Sequence, residues 1–382
     1  MVTYPTDWAS KQLRDIGYIQ MCRRIFQNQT KTYGAIPFYK ISTFGGKADA
    51  YISQELYEKY KLLYPYPEKG DILISAAGTI GKTVIFDGKD SYFQDSNIVW
   101  LKVDKDAIDR KFLWWFYRSF PWNALEGTTI QRLYNSIILD TEIHLPEKPE
   151  QEEIARTLSQ FDTYIDDLAE LIEKKKGIRD GAINDLLSGK TRLNGFNKSW
   201  KETTLGAEFD VIMGSSPNSS SYNSAKLGVP LVQGNADIEN RVTAPKRYTS
   251  MPTKICEIGD TILTVRAPVG AASRANQKVC LGRGVCAISG QHKDFIFYLM
   301  RYHESAWEAV EQGSTFTAVS GKEVRKFEIR IPEEGSEQEA IAAVLTAIDE
   351  EIRDLEIERE KIIQIREGAM DDLLTGRVRL TK

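Results

Sequence analysis

Eight residues, Ala76-Ala77-Gly78-Thr79-Ile80-Gly81-Lys82-Thr83, satisfy a relaxed phosphate-loop pattern, with Ala in the leading glycine position and Gly-Lys-Thr at the end. In such a loop, backbone N–H groups and the lysine surround phosphate oxygens, and a helix opening directly after the loop completes the cradle. The residues that follow, Val84-Ile85-Phe86-Asp87-Gly88, read instead as a β-strand ending in a turn. The corresponding stretch later in the chain, read as Thr264-Val265-Arg266-Ala267-Pro268-Val269-Gly270-Ala271, has no lysine and a central proline. An ATPase built on Gly81-Lys82-Thr83 is therefore set aside. A tight glycine loop between strands, turning Lys82 or Arg266 outward, suits DNA better.

Other chemistries lack their residues. No two prolines are adjacent, which removes an Asn-Pro-Pro-Tyr methyltransferase motif, and neither G-x-S-x-G nor H-E-x-x-H occurs. Cys22, Cys256, Cys280 and Cys286 form no C-x-x-C pair, and His144, His292 and His303 are scattered. No catalytic residue, metal or cofactor is expected.

The elements that position the basic loops emerge from an internal repeat. Residues 151–193 align without a gap on 338–380, at a constant offset of 187, with about half of the positions identical. Gln151-Glu152-x-Ile154-Ala155 matches Gln338-Glu339-x-Ile341-Ala342, and Asp185-Leu186-Leu187-x-Gly189 matches Asp372-Leu373-Leu374-x-Gly376. The longer segments before them repeat more loosely. Gly70-Asp71-Ile72-Leu73-Ile74 parallels Gly259-Asp260-Thr261-Ile262-Leu263, and Gly127-Thr128-Thr129-Ile130 parallels Gly313-Ser314-Thr315-Phe316. Two divergent segments thus alternate with two similar ones, as a shared scaffold carrying two specificities would.

The similar segments read as helices. Apolar residues recur at Ile154, Leu158, Phe161, Ile165, Leu168 and Ile172, and again at Ile341, Leu345, Ile348, Ile352 and Leu355. Steps of four and three make a heptad-like seam, which favours two helices packed along each other. Pro146 and Pro332 suit the entries, Gly189 and Gly376 the exits, and Gly177 softens the first helix. Each run extends to roughly 35 residues, about 50 Å. Paired antiparallel about a pseudo-twofold axis, the two would hold the divergent segments apart. Those segments read as mixed α/β, with short β-rich runs such as Ile72-Leu73-Ile74. One aromatic helix, Lys111 to Phe120, is echoed by Asp294 to Arg301, and its aromatics are expected in the core.

Length and charge agree with this plan. A chain of 382 residues fits two or more domains. Its 42% hydrophobic content and mean hydropathy of -0.37 are those of a globular protein. No run approaches the roughly 20 apolar residues of a membrane span. Met1 to Trp8 has no basic start leading into an apolar stretch, so a cytoplasmic location is expected. The net charge of -4 resolves into +1 for residues 1–150, -2 for 151–194, +2 for 195–336 and -5 for 337–382. The acid excess lies in the helices, and the near-neutral segments are free to carry local basic faces. So weak a charge predicts modest DNA affinity for the isolated chain.

With these residues assembled, the chain resembles the specificity subunit of a type I restriction-modification system. The resemblance rests on Gly214-Ser215-Ser216-Pro217, Val229-Pro230-Leu231-Val232, Gly259-Asp260-Thr261-Ile262-Leu263, Arg266-Ala267-Pro268-Val269-Gly270 and the junction Ile331-Pro332…Gln338-Glu339, most of them present twice. The first copy departs from it, with Met21-Cys22-Arg23-Arg24-Ile25-Phe26 where the Gly-Ser-Ser-Pro-like turn would stand. The resemblance implies an α/β fold of two target-recognition domains, 1–150 and 195–336, separated by two long antiparallel coiled-coil helices, 151–194 and 337–382. It implies a non-catalytic, double-stranded-DNA-binding subunit that reads a bipartite site and recruits two modification (methyltransferase) subunits and restriction subunits. Methylation and ATP-driven cleavage would belong to those partners. Contacts to DNA are expected from Lys40, Lys82, Arg132 and Tyr134 in the first domain, and from Ser216, Asn235, Arg266, Arg283 and Lys322 in the second. The helical seam residues are expected to bind partners. The rival reading is a protein-binding scaffold with two recognition domains on a helical spacer.

Overall fold

The computed structural model describes residues 3–104, 106–122, 132–307 and 318–380. The repeated Gly127–Ile130 and Gly313–Phe316 motifs lie outside them. The chain divides into two compact units, one of residues 1–168 with 358–382 and one of residues 169–357. Each unit therefore combines one divergent segment with a part of both long helices.

The first unit is built on two small sheets. In one, strands Gly17–Gln20, Ile98–Val103, Ile72–Ser75 and Thr83–Ile85 lie in that order, all antiparallel. In the other, Ile36–Tyr39 lies between Ala50–Ile52, antiparallel, and Tyr92–Phe93, parallel. The apolar run Ile72-Leu73-Ile74 is buried on both faces, which explains why it does not alternate. The helix Arg110–Ser119, capped by Asp109, buries Phe112, Leu113, Trp115 and Tyr117. Its aromatics fill the core, as their apolar face requires.

The second unit repeats this order with additions. Asp210–Met213, Val285–Ser289, Thr261–Thr264 and Ala272–Arg274 correspond strand for strand to the first sheet, and two short strands extend it. Val229–Val232 again pairs parallel with Val279–Leu281, inside an otherwise antiparallel sheet of five strands. Helix Lys293–Tyr302 takes the place of Arg110–Ser119. In both units a two-stranded ribbon leads into a long helix: Ala9–Gln12 with Glu142–Leu145, and Trp200–Thr204 with Glu328–Pro332.

The long helices span Lys148–Leu187 and Gly335–Leu374, 40 residues each. They exceed the expected 35 because they start a turn ahead of the aligned repeat. The first is unbroken through Gly177, where an added Cβ would meet nothing. Both stop at a glycine in the left-handed region, Gly189 at φ +72° and Gly376 at φ +71°, where a side chain would be strained. The repeated Gln-Glu pair also acquires a physical role. Gln151 and Gln338 are buried, and their amides donate to the carbonyls of Pro146 and Pro332 at 2.9 and 2.8 Å.

Within each unit the two helix segments run antiparallel. In the first, Arg366 meets Asp162, Tyr164 meets Glu358, and Leu373 and Leu374 enter the core beside Ile154 and Leu158. In the second, Arg179 meets Asp349, Lys175 meets Glu351, and Ile183 and Leu186 join Ile341 and Leu345. Arg379 pairs with the buried Glu150 just as Arg192 pairs with the buried Glu337. Among the described residues, no helix is long and apolar enough to cross a membrane.

The seam residues are consumed by this packing. Ile154, Leu158, Ile165, Leu168, Ile341, Leu345 and Ile352 are buried, while Phe161, Ile348 and Leu355 are half-buried. A side chain already covered by its own chain offers little to another.

Candidate nucleic-acid interface

The loop with the phosphate-loop pattern is a hairpin turn. Ser75 Oγ donates to the Thr79 carbonyl and accepts from the Lys82 N–H at 2.9 Å. Thr264 Oγ1 does the same with the Pro268 carbonyl, at 2.6 Å, and the Ala271 N–H, at 2.9 Å. The true offset of this loop is therefore 189 residues. Lys82 corresponds to Ala271 and Ala77 to Arg266, one position away from the alignment read in sequence. Gly81 and Gly270 both have positive φ, and a Cβ would come within 2.4 Å of Trp122 and 2.1 Å of Trp307 respectively. The glycine is kept for packing against a tryptophan, and the chain after Lys82 continues as a strand. No phosphate cradle forms.

Lys82 is exposed, as expected, but its amine is tethered to a neighbouring loop. Its Nζ donates to the Phe44 carbonyl at 2.6 Å, which leaves part of its donor capacity for a ligand. Lys40 is held by Asp49 at 2.8 Å. Arg132 is exposed, sits opposite Ala77 in an isolated antiparallel bridge, and donates from Nη2 to the Ser96 carbonyl at 3.2 Å. Tyr134 is exposed at the entry of helix Asn135–Asp140. Lys40 and Arg132 line one polar cleft of about 1020 Å³, together with Arg24, Gln94 and Asn97. Lys82 and Tyr134 are not among its lining residues.

In the second unit, Ser216 Oγ accepts from the backbone N and Nε of Arg283 at 3.2 and 3.3 Å. Arg266 is exposed in a bridge opposite Ala318. This is the bridge of Ala77 and Arg132 with the arginine on the other segment. Lys322 is exposed in a short helix fixed by reciprocal bonds between Ser320 and Glu323. Asn235 is exposed at the start of a single 3-10 turn. The structure thus brings Ser216 and Arg283 together. No bond joins Asn235 to the other candidates among the described residues.

Sequence reasoning missed Arg24 and Asp95, which form an ion pair at 2.8 Å at the cleft. The available signal was the departure at Met21–Phe26, where a Gly-Ser-Ser-Pro turn was expected and two arginines stand. Neighbouring Cys22 is buried. Burial pushes its thiol up to about 12, so it stays protonated at neutral pH. Among the described residues, no cluster of His, Cys, Asp or Glu could hold a metal ion.

Comparison with known proteins follows this duplicated architecture. The family described as type I restriction modification DNA specificity domain matches twice, over residues 5–176 and 197–367. The chain is similar to a Methanocaldococcus jannaschii protein named as the type I restriction enzyme MjaX specificity subunit, with 33% identity, 98% of this chain and 95% of that protein covered. It also resembles a Haemophilus influenzae protein named as type I restriction enzyme specificity subunit S.HindORF215P. There the identity is 54% over 42% of this chain and 41% of that protein. Among solved structures, the S subunit of a type I restriction-modification system from M. genitalium aligns with a TM-score of 0.62 at 18% identity, over 98% of this chain and 97% of that one. The HsdS subunit from Thermoanaerobacter tengcongensis aligns with a TM-score of 0.53 at 21% identity, over 98% of each. At these identities the structures speak for the fold.

Proposed function

Because the chain belongs to the family of type I restriction-modification specificity subunits, whose role is DNA-sequence recognition and not catalysis, we propose that each of its two units reads one half of a bipartite DNA site. The observation that carries this reading is the contrast between framework and loops. The strand order, the bridge and the Ser75/Thr264 turn are built twice, while the basic side chains on them differ. A repeated scaffold with different polar groups presents two donor patterns, and the major groove distinguishes base pairs by such patterns.

In the first target-recognition domain, residues 1–150, we assign contacts to Lys40, Lys82, Arg132 and Tyr134. In the second, residues 195–336, we assign them to Ser216, Asn235, Arg266, Arg283 and Lys322. The lysines suit phosphates and the arginines suit base edges. Residues 151–194 and 337–382 form the antiparallel coiled-coil spacer of a pseudo-twofold molecule. Their exposed faces receive two modification subunits, and restriction subunits join that assembly in the cytoplasm. The acidic balance of the helices leaves phosphate neutralisation largely to the partners.

Replacing residues 1–150 with the corresponding domain of another such subunit tests the reading. Selection from random DNA by the assembled complex should return a site with one half changed and the other intact. Sites changed in both halves, or in neither, would refute two independent readers.

A further inference from the structure

The paired strands fix which loop residues of the two units correspond. Gln20 faces Trp100 and Ile212 faces Ala287, while Ile98 faces Ser75 and Val285 faces Thr264. Counting from these pairs, Arg24 stands at the position of Ser216, and Ser96 at the position of Arg283. In the second unit the serine of the leading loop steadies the arginine of the trailing loop. In the first unit the arginine is on the leading loop. Arg24 donates from Nε to Asp95 Oδ2 at 2.8 Å, beside Ser96. The bridge shows the same exchange, Ala77 with Arg132 against Arg266 with Ala318. Each unit thus carries arginines at the same two places of the fold, supplied from opposite segments of chain.

The turn that holds Arg24 is fixed from both sides. Gln94 N–H donates to the Tyr39 carbonyl at 2.9 Å, Gln94 Oε1 accepts from the Ile41 N–H at 2.8 Å, and the Ala76 N–H donates to the Asn97 carbonyl at 2.7 Å. Between these anchors Ser96 is held at φ +60°, a conformation that a non-glycine residue keeps only when its surroundings impose it. Asp95 is recessed, with 14% of its side chain exposed, and Arg24 stands out from it at 59%. A guanidinium held at Nε presents its two Nη groups forward as a fork, which matches the O6 and N7 acceptors of guanine. The carboxylate beside it disfavours a phosphate more than a neutral base edge.

We infer that Arg24 is a specificity-determining residue of the first unit that reads a guanine, and that Asp95 is the residue positioning it. This rests on the reading that the first unit contacts DNA. The test is site selection by the assembled complex, using the wild-type chain, Arg24→Ala, Arg24→Lys, Asp95→Asn, the Arg24→Ala/Asp95→Asn double variant and a chain with residues 1–150 replaced. Arg24→Ala should lower the preference for one G·C pair roughly ten- to hundredfold, within the half-site changed by the domain replacement. The other half and the salt dependence should be unchanged. Arg24→Lys should lose the same preference, because an ammonium lacks the fork. Asp95→Asn should weaken the same position by less, and the double variant should be no worse than Arg24→Ala. A loss spread evenly over all sequences with a shallower salt slope would make Arg24 a phosphate contact and overturn the inference. Unchanged preferences in Arg24→Ala, with one half changed by domain replacement, would overturn it and leave the two-reader proposal standing. If the domain replacement also changes nothing, that proposal falls as well.

Discussion

Arg366 donates from Nη1 to Asp162 Oδ1 at 2.6 Å, joining the end of one long helix to the start of the other within the first unit. The other oxygen of Asp162 accepts from Arg118 at 2.8 Å, and the Arg118 guanidinium lies 4.7 Å from the ring centres of both Trp114 and Trp115. The second unit repeats the device with Asp349 between Arg179 and Arg301, the latter over Phe297 and Tyr298. One carboxylate therefore ties together the domain helix and both long-helix segments, and does so twice.

Asp162→Ala leaves two guanidiniums facing each other without their shared acceptor. Asp162 and Arg366 have side chains only 26% and 15% exposed, so water replaces the carboxylate incompletely. The expected cost is about 1–3 kcal/mol, read as a lower denaturant midpoint at unchanged slope. An unaltered midpoint would mean that these pairs count no more than ordinary surface ion pairs.

His303 makes the second unit sensitive to acid. Burial pushes its imidazole down to about 4, and its Nε2 has no hydrogen-bond partner. Because the folded value is depressed, the unfolded chain takes up the proton first as the pH falls below about 6.5. The contribution to stability is complete above that value and is lost progressively down to about 4, reaching roughly 3 kcal/mol. His303→Phe keeps a ring against Phe327, 5.2 Å away in the wild type, and should flatten stability between pH 6.5 and 4. Urea unfolding at several pH values measures this. Equal losses in variant and wild type would assign the acid sensitivity elsewhere.

If the helices set the distance between half-sites, lengthening both should lengthen the spacer. One heptad inserted between Leu168 and Ile172, and one between Leu355 and Ile362, preserves the seam and adds about 10 Å. At about 3.4 Å per base pair, the selected site should gain about three base pairs between halves whose sequences stay the same. Binding should weaken, because the added pairs turn one half-site around the duplex. A folded, binding variant that selects the original spacer would remove the helices from that role.

The sequence by itself determined the duplication, the long helices and their glycine stops, and the refusal of Ala76–Thr83 to form a phosphate loop. These are local properties. A seam needs only its own spacing, a helix stop only a residue at ease with positive φ, and a hairpin only strand-forming residues on both sides. Tertiary structure decided where the basic side chains go. The turn keeps the offset of 189 that Gly70–Ile74 and Gly259–Leu263 already share in sequence, and strand register carries it through to the loop. The Lys82 amine donates to the Phe44 carbonyl, and most seam residues are buried by their own chain, because contacts between segments distant in sequence compete for the same groups. Arg24 takes the place opposite that of Arg283 for a related reason. Two segments that meet in space can supply the same charge from either side, so the position persists in the fold while the residue moves in the sequence.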